Sequence, residues 1–249
     1  MIPWFIIAAA IVVAYLLGSI PTGYLAAKWL KGIDIRTVGS GSTGATNVLR
    51  TLGKPAGIAV LAIDVLKGVL AILGMKFAYL FIVNTLCNLT ADQQQVMQPI
   101  LSAIHAGQAV GGTISDPAIV NCLNFYNSYP WAIVAAGLAA ILGHSRSIFL
   151  NFTGGKSVAT SLGVLLSLNP FVGLCTLGMF LITIAITRIV SISSIVAAIS
   201  TTGFMFLYQQ PLAFCLFAIA GGIYVILRHR ANIARLLAGQ EPKLGQKVN

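Results

Sequence analysis

A chain of 249 residues in which 57% of the side chains are hydrophobic and 8% are charged carries more apolar surface than a soluble domain can cover. Its formal net charge of +10 is not arranged as a basic stripe interleaved with aromatic residues, which argues against a nucleic-acid partner. The composition therefore indicates an integral membrane protein whose basic side chains attract anionic lipid or an anionic substrate.

Apolar runs long enough to span a membrane cover residues 3–27, 55–82 and 130–150, since about 20 helical residues cross the hydrocarbon core. No basic segment precedes the first run, so we interpret it as a retained helix and not as a signal peptide. Residues 84–129 are rich in Asn and Gln, and we expect an extramembrane insertion with a partly embedded helix near 100–113.

Turn-forming residues divide the remaining apolar sequence, 157–227, into four shorter spans. The breaks are Asn-Pro at 169–170, Thr-Arg-Ile-Val-Ser at 187–191 and Gln-Gln-Pro at 209–211. The predicted fold is an all-α integral membrane protein of about seven transmembrane helices, with 1–249 as a single domain. The fourth span is short, so we expect it to be tilted or only partly inserted.

Basic residues lie after the first, third, fifth and seventh predicted spans, and none lies in 84–129 or in the turns near 169–170 and 209–211. Because cytoplasmic loops collect Lys and Arg, the N-terminus is expected outside the cytoplasm and the C-terminus inside it. The insertion between spans 2 and 3 is then extracytoplasmic, and Cys87 and Cys122 within it could pair.

Three polar segments fall on the predicted cytoplasmic side, and the first is GSGSTGATNVLR, residues 39–50. Gly39, Gly41 and Gly44 can adopt positive φ and turn backbone N–H groups towards an anion, and Arg50 adds a forked donor. Hydroxyl donors come from Ser40, Ser42, Thr43 and Thr46. Ala45 stands where a P-loop requires lysine, so a nucleoside triphosphate is not expected. The alternative interpretation is a glycine-rich turn and helix cap.

The second segment is GHSRSIFLNFTGGKSVAT, residues 143–160, in which Gly154 and Gly155 precede a predicted helix. A helix N-terminus favours anions, and Lys156 supplies a fixed charge there; a lysine that extends towards the membrane surface is the alternative. We interpret His144, taken alone, as a hydrogen-bonded structural residue.

The third segment is RHRANIARLLAGQEPKLG, residues 228–245. His229 and Asn232 share one helix face, and the alternative is a basic tail that binds lipid headgroups. No cluster of His, Cys and carboxylate has metal-ligand spacing, so we expect neither a metal nor a cofactor.

These three segments and IDVLKG at 63–68 resemble, in the same order, the motifs of the bacterial acyl-phosphate:glycerol-3-phosphate acyltransferases, the PlsY family. The resemblance covers nearly the whole chain apart from 84–129. It implies a seven-span enzyme of the bacterial plasma (inner) membrane that acts as a monomer, with its active site facing the cytoplasm. Such an enzyme transfers an acyl group from acyl phosphate to glycerol 3-phosphate and forms lysophosphatidic acid and phosphate in phospholipid biosynthesis.

The resemblance also implies roles for individual residues. The expected catalytic residues are Ser40, Arg50, Lys156, His229 and Asn232. The expected phosphate- and substrate-binding residues are Gly39, Gly41, Gly44, Asn47, Gly154, Gly155 and Ser194. The chain departs from the family pattern at Ser42 and Thr43, where Asn and often Pro are usual, and at Thr153 and Ser157, where the family reads K-G-G-K-G.

None of His105, His144 and His229 has an acidic residue at the spacing of a catalytic relay, so no dedicated general base is expected. An acyl phosphate needs little assistance, because phosphate is a good leaving group and its oxygen can accept the proton of the attacking hydroxyl. The rival function is a transporter for a phosphorylated metabolite, which would need polar residues along several spans. The second span alone carries charges, and Asp64 and Lys67 can pair with each other.

Overall fold

The computed structural model describes residues 2–87, 90–93, 95–96 and 116–246. Apart from one isolated antiparallel bridge between Ser147 and Thr153, the regular structure of these residues is helical. The α-helices used below are α1 (Ile2–Ser19), α2 (Thr22–Lys31), α3 (Ala45–Leu52), α4 (Lys54–Leu86), α5 (Pro117–Asn127), α6 (Tyr129–Ser145), α7 (Val158–Leu168), α8 (Pro170–Thr187), α9 (Val190–Leu207), α10 (Leu212–Arg228) and α11 (Arg230–Leu237).

Five helical segments among the described residues are long and apolar enough to cross a membrane, and the all-α membrane fold is thereby confirmed. They are Trp4–Lys31, Lys54–Thr85, Pro117–Ser145, Pro170–Thr187 and Val190–Leu207. A sixth arises if α10 and α11, which meet at a bend of 58°, form one span. The predicted fourth span is α7, whose 11 residues rise about 16 Å and are too few to cross alone. The count of seven spans stays a prediction.

The predicted breaks in the second half of the chain are confirmed, since helices end at Leu168, Thr187 and Leu207. The first apolar run, in contrast, is interrupted at Ile20–Pro21, because proline has no backbone N–H to continue the helix. In the run 130–150, the α-helix ends at Ser145, and a single 3-10 turn follows at Ile148–Leu150.

The predicted extramembrane insertion is partly helical. α4 continues to Leu86, and α5 lies within 84–129 and joins α6 in one candidate span. The partly embedded helix expected near 100–113 lies outside the described residues. Cys87 and Cys122 do pair: a disulfide with Cα atoms 5.6 Å apart connects the end of α4 to α5.

Close helix packing brings α7 against α4. A Cβ placed on Gly163 would lie 2.0 Å from the Val65 carbonyl oxygen, and one placed on Gly68 would lie 2.3 Å from that of Thr160. Only glycine therefore fits at these two contacts. Ile72 of α4 and Val164 of α7 are fully buried in the common core. This contact holds the N-terminus of α7 beside the first half of α4.

Candidate functional site

A cavity of about 460 Å³ is lined by α3, α4 and the helices from α6 to α11. One end, here called the polar end, is lined by Ser40, Arg50, Lys156, His229, Asn232 and Glu241. The other, here called the deep end, is lined by Leu165, Thr176, Thr201 and Phe217. Between them the walls are mainly apolar, with Phe180 on α8 and Ala198 on α9. The cavity therefore matches a molecule with a charged head and a hydrocarbon tail.

Three helix N-termini converge on this cavity. α3 begins at Ala45, α7 at Val158 and α9 at Val190, and each of these residues lines the wall. The first N–H groups of a helix have no partner within the helix, and the helix dipole adds positive potential. The three N-termini thus favour anionic groups in the cavity.

The glycine-rich loop takes its shape from Asn47. Gly39 and Gly41 have the expected positive φ of 59° and 67°, whereas Gly44 does not: with φ of −78° it is extended and forms the N-cap of α3. The Asn47 side chain accepts a hydrogen bond from the Ser40 N–H at 3.0 Å. Its amide nitrogen donates to the carbonyls of Ile35, Val38 and Ser42.

Asn47 borders the cavity but is only 1% exposed. Its amide group is occupied by the loop backbone, so the structure gives it the role of holding the loop. Gly39 is needed for the same reason, since a Cβ there would lie 2.3 Å from the Asn47 side-chain oxygen. Gly39 and Gly41 are not among the cavity-lining residues, whereas Gly44 is.

Glu241 organises the polar end and was not predicted. Its carboxylate accepts hydrogen bonds from Asn232 Nδ2 at 2.6 Å, Ser191 Oγ at 2.9 Å and Arg235 Nε at 2.7 Å. Asn232 in turn accepts from Lys156 Nζ. Burial opposes ionisation of Glu241, but these hydrogen bonds hold its pKa below the ordinary value. The sequence does contain a feature that singles out Glu241: it is one of only five acidic residues in the chain and lies in a basic tail.

The cations at the polar end are partly desolvated. Burial lowers the pKa of Lys156 to about 8, with Glu241 acting in the opposite direction. Arg50 also has a lowered pKa because it is half-buried. One Arg50 nitrogen, Nη2, donates to the Pro242 carbonyl at 3.2 Å. Within the described part of the chain, Arg50 Nε and Ser161 Oγ are buried without a hydrogen-bond partner, and both residues line the cavity.

His229 and Ser194 reach the cavity from neighbouring helices. His229 is 2% exposed, and its Nδ1 lies 2.7 Å from the Val225 carbonyl oxygen. A carbonyl can only accept, so Nδ1 carries the hydrogen, and Nε2 of the neutral ring is an acceptor. Ser194 Oγ donates to the Val190 carbonyl at 2.9 Å.

Gly154 and Gly155 do not line the cavity. A Cβ on Gly155 would lie 2.1 Å from His144 Nε2, so these glycines allow the segment before Lys156 to pack on the His144 ring. Arg228 Nη2 donates to both of their carbonyls, at 3.3 and 2.9 Å. The two glycines position Lys156 by packing, and their carbonyls are already hydrogen bonded.

The fold also creates a histidine–carboxylate pair that spacing along the chain did not reveal. His144 Nδ1 lies 3.6 Å from Asp64 Oδ1, which also accepts from Thr22 Oγ1 at 2.6 Å and pairs with Lys67 Nζ at 2.9 Å. The predicted Asp64–Lys67 pair is thereby confirmed. Lys67 Nζ donates as well to the carbonyl of Ile20, where the first apolar run is interrupted.

Comparison with known proteins identifies relatives of the whole chain. The family model for glycerol-3-phosphate acyltransferase matches residues 8–239. Proteins named glycerol-3-phosphate acyltransferase from Trichormus variabilis and Rippkaea orientalis are 56% and 51% identical over 240 and 245 residues, covering 96% and 98% of this chain and 92% and 96% of theirs.

Two solved structures are similar in fold and sequence. The crystal structure of PlsY (YgiH), an integral membrane glycerol 3-phosphate acyltransferase, in its glycerol 3-phosphate form has a TM-score of 0.71 at 35% identity, with 96% of each chain covered. The lysophosphatidic acid form has a TM-score of 0.69 at 34% identity and covers 96% of this chain and 95% of that one.

Proposed function

The chain belongs to the glycerol-3-phosphate acyltransferase family, and on that premise we propose that it transfers an acyl group from an acyl phosphate to glycerol 3-phosphate. The products are lysophosphatidic acid and phosphate. The observation that carries the proposal is the cavity itself, which combines Lys156, Arg50 and three helix N-termini with a long apolar wall. Two phosphates and one acyl chain match these two kinds of lining.

The reaction proceeds by positioning and charge stabilisation. A hydroxyl oxygen of glycerol 3-phosphate attacks the acyl carbonyl carbon, the bond from that carbon to the phosphate oxygen breaks, and the proton passes to the departing phosphate. Lys156 and Arg50 offset the negative charge that develops on the carbonyl and phosphate oxygens. Because the substrate phosphate takes the proton, no side chain has to act as a dedicated base.

The remaining polar side chains orient the substrates. Nε2 of the neutral His229 ring accepts a hydrogen bond from a substrate hydroxyl, while Ser40 donates to a phosphate oxygen. Ser194 does the same once its single hydroxyl hydrogen turns from the Val190 carbonyl to the substrate. Asn232 donates to Glu241 and accepts from Lys156, so the position of the Lys156 ammonium depends on that of the Glu241 carboxylate. The unpartnered Arg50 Nε and Ser161 Oγ are further donors for ligand oxygens.

We place the enzyme in the bacterial plasma (inner) membrane as a monomer, with the polar end of the cavity facing the cytoplasm. The distribution of Lys and Arg, which follow alternate predicted spans, supports this orientation, and the membrane and the monomeric state are what the family resemblance implies. Transport is less well supported, because Thr176 and Thr201 at the deep end hydrogen bond to each other at 3.1 Å and charged side chains line only the other half of the cavity.

The donor assay tests this function. Purified protein in detergent is given labelled glycerol 3-phosphate with palmitoyl phosphate, palmitoyl-CoA or palmitoyl-acyl carrier protein in parallel. We expect labelled lysophosphatidic acid with palmitoyl phosphate alone, because the described residues include no soluble domain that would bind a pantetheine carrier. Equal rates with palmitoyl-CoA would contradict the proposed donor, and no product with any donor would contradict acyl transfer.

A further inference from the structure

The wall of the cavity has a gap at Gly221 of α10. This glycine is buried and lines the cavity, yet no heavy atom outside the neighbouring part of its own helix lies within 4 Å of the point where a Cβ would stand. The next residue, Gly222, differs, since a Cβ there would lie 3.3 Å from the Ala198 carbonyl oxygen of α9. Gly222 therefore serves helix packing, whereas Gly221 leaves open volume.

The depth of Gly221 follows from helix geometry. His229 at the polar end lies eight residues further along, about 12 Å at 1.5 Å per residue, and Phe217 at the deep end lies four residues earlier, about 6 Å. A helical Cα–Cβ bond tilts towards the helix N-terminus. The N-terminus of α10 is on the deep side, so a side chain at this position would project into the deep half of the cavity.

The deep end has a packed floor. One helical turn beyond the deepest lining residues stand Val172 of α8, Met205 of α9 and Phe214 of α10, which are 0%, 0% and 9% exposed. These three belong to the main hydrophobic core. The packed floor therefore limits the length of a hydrocarbon chain that enters from the polar end. The open space beside Gly221 is part of the volume that such a chain can occupy.

We propose that Gly221 determines the acyl-chain length that the enzyme accepts, an inference that rests on the proposed acyl-phosphate chemistry. Because the position has no side chain, the last methylenes of a long acyl group fit beyond it. A larger residue fills that volume and excludes long chains, while a short chain ends before reaching it. The head-group contacts at Lys156 and Arg50 are unaffected.

The experiment compares Gly221→Ala and Gly221→Leu with wild type, using octanoyl, dodecanoyl and palmitoyl phosphate. Gly203→Leu is the matched control, since Gly203 also lies within a helix, α9, with open space at the Cβ position but is exposed and does not line the cavity. All these substitutions raise intrinsic helix propensity, and both positions have open space at the Cβ.

We expect Gly221→Leu to lower kcat/KM for palmitoyl phosphate by about 10-fold or more, the effect of a few misfitting methylenes, with Gly221→Ala intermediate. Octanoyl phosphate and the Gly203 variant should stay close to wild type. An unchanged chain-length profile in Gly221→Leu, or an equal loss for all three donors, would overturn the proposal.

A second measurement separates this inference from the proposed function. The stabilisation of each variant by palmitoyl and octanoyl lysophosphatidic acid is measured by thermal unfolding, which needs no turnover. Gly221→Leu should lose the stabilisation by the palmitoyl compound and keep that by the octanoyl compound. The wild type could be inactive with every acyl phosphate while Gly221→Leu still loses only the stabilisation by the palmitoyl compound. That result would refute the proposed donor and support the role of Gly221. If the palmitoyl compound stabilises Gly221→Leu as much as it stabilises the wild type, Gly221 does not determine chain length.

Discussion

At the scale of single residues, the protonation of Lys156 is the most accessible property of the site. Its pKa is about 8 because burial disfavours the ammonium. Lys156 is charged below that pH and neutral above it, and a neutral amine cannot offset phosphate charge. We therefore expect kcat/KM to fall as the pH rises through about 8. A rate that stays level across that pH would contradict the role of the ammonium.

Glu241→Gln should shift this pH dependence. The carboxylate raises the pKa of Lys156, so its replacement by a neutral amide of the same shape lowers that pKa. The fall in kcat/KM should then begin at a lower pH than in wild type. The control is Lys156→Arg, whose guanidinium stays charged, so any remaining activity should lack the fall. If the Glu241→Gln profile coincides with wild type, the two groups are not coupled.

Asn47 offers a different test, because its amide holds the loop. Asn47→Ala removes the side-chain partner of the Ser40 N–H and of three loop carbonyls, of which the Val38 carbonyl still accepts from the Gly41 N–H. Each buried group that is left unsatisfied costs about 1–3 kcal/mol. We expect a lower unfolding temperature without substrate, together with lost activity. Thr46→Ala, at the neighbouring cavity-lining position, should unfold like wild type. Unchanged unfolding of Asn47→Ala would indicate a substrate contact only.

These residues mark what the sequence could predict about the site. Lys156, His229 and Asn232 could be named from the sequence because they lie in polar segments that stand out in apolar sequence and that match the family motifs. The part played by Glu241 depends on Ser191, 50 positions away, and on the turn after α11. Such pairings arise from packing between distant helices, and residue spacing does not encode them.

At the scale of helices, α4 carries a buried ion pair that joins three elements. Asp64 and Lys67 are 1% and 4% exposed, and their hydrogen bonds reach Thr22 and Ile20 at the interruption between α1 and α2. The pair is therefore part of the structure that supports Pro21. His144 of α6, on which the segment before Lys156 packs, lies against the same carboxylate.

Removing one partner of the Asp64–Lys67 pair should lower the free energy of unfolding more than removing both. Lys67→Met leaves the Asp64 carboxylate buried and uncompensated, which typically costs about 3–5 kcal/mol of unfolding free energy. Adding Asp64→Asn removes that charge, so the double variant should recover part of the loss. Unfolding in detergent measures both. Strictly additive effects would show that the two side chains act independently.

The helix boundaries also show where sequence reasoning succeeds. Asn169 caps α8 through its own side chain, which accepts from the N–H groups of Phe171 and Val172, and such local chemistry is predictable. The interruption at Pro21 was passed over because the short segment Gly-Ser-Ile-Pro-Thr-Gly, 18–23, lies between two longer apolar stretches. α5 was missed because the three Asn of PAIVNCLNFYN are typical of loop sequence, although its buried residues, Ile119, Cys122 and Phe125, recur at helical spacing.

At the scale of the whole molecule, α4 separates two chemically distinct regions. Its 33 residues, about 50 Å of helix, run from α3 beside the cavity to Cys87. Lys and Arg surround the first region, and the Cys87–Cys122 disulfide, which forms in oxidising compartments, lies at the second. Both features favour a cytoplasmic site and an extracytoplasmic disulfide.

Protease protection tests this orientation. In intact cells treated with external protease, a tag inserted near Asn88 should be cut, and a tag after Asn249 should be protected. Permeabilised cells are the control, since both tags should then be cut. Cleavage of the C-terminal tag in intact cells would contradict the proposed orientation and would indicate that the polar end of the cavity faces the outside.

The central claim is that charge at the polar end of the cavity carries acyl transfer from acyl phosphate, and Lys156→Ala tests it most directly. The measurement is kcat/KM with palmitoyl phosphate and glycerol 3-phosphate, with Lys54→Ala, an exposed lysine outside the cavity, as control. We predict a loss of about 100-fold or more in Lys156→Ala, the usual effect of deleting one charge-stabilising donor, and wild-type activity in Lys54→Ala. Normal insertion and near-wild-type activity of Lys156→Ala would contradict the account.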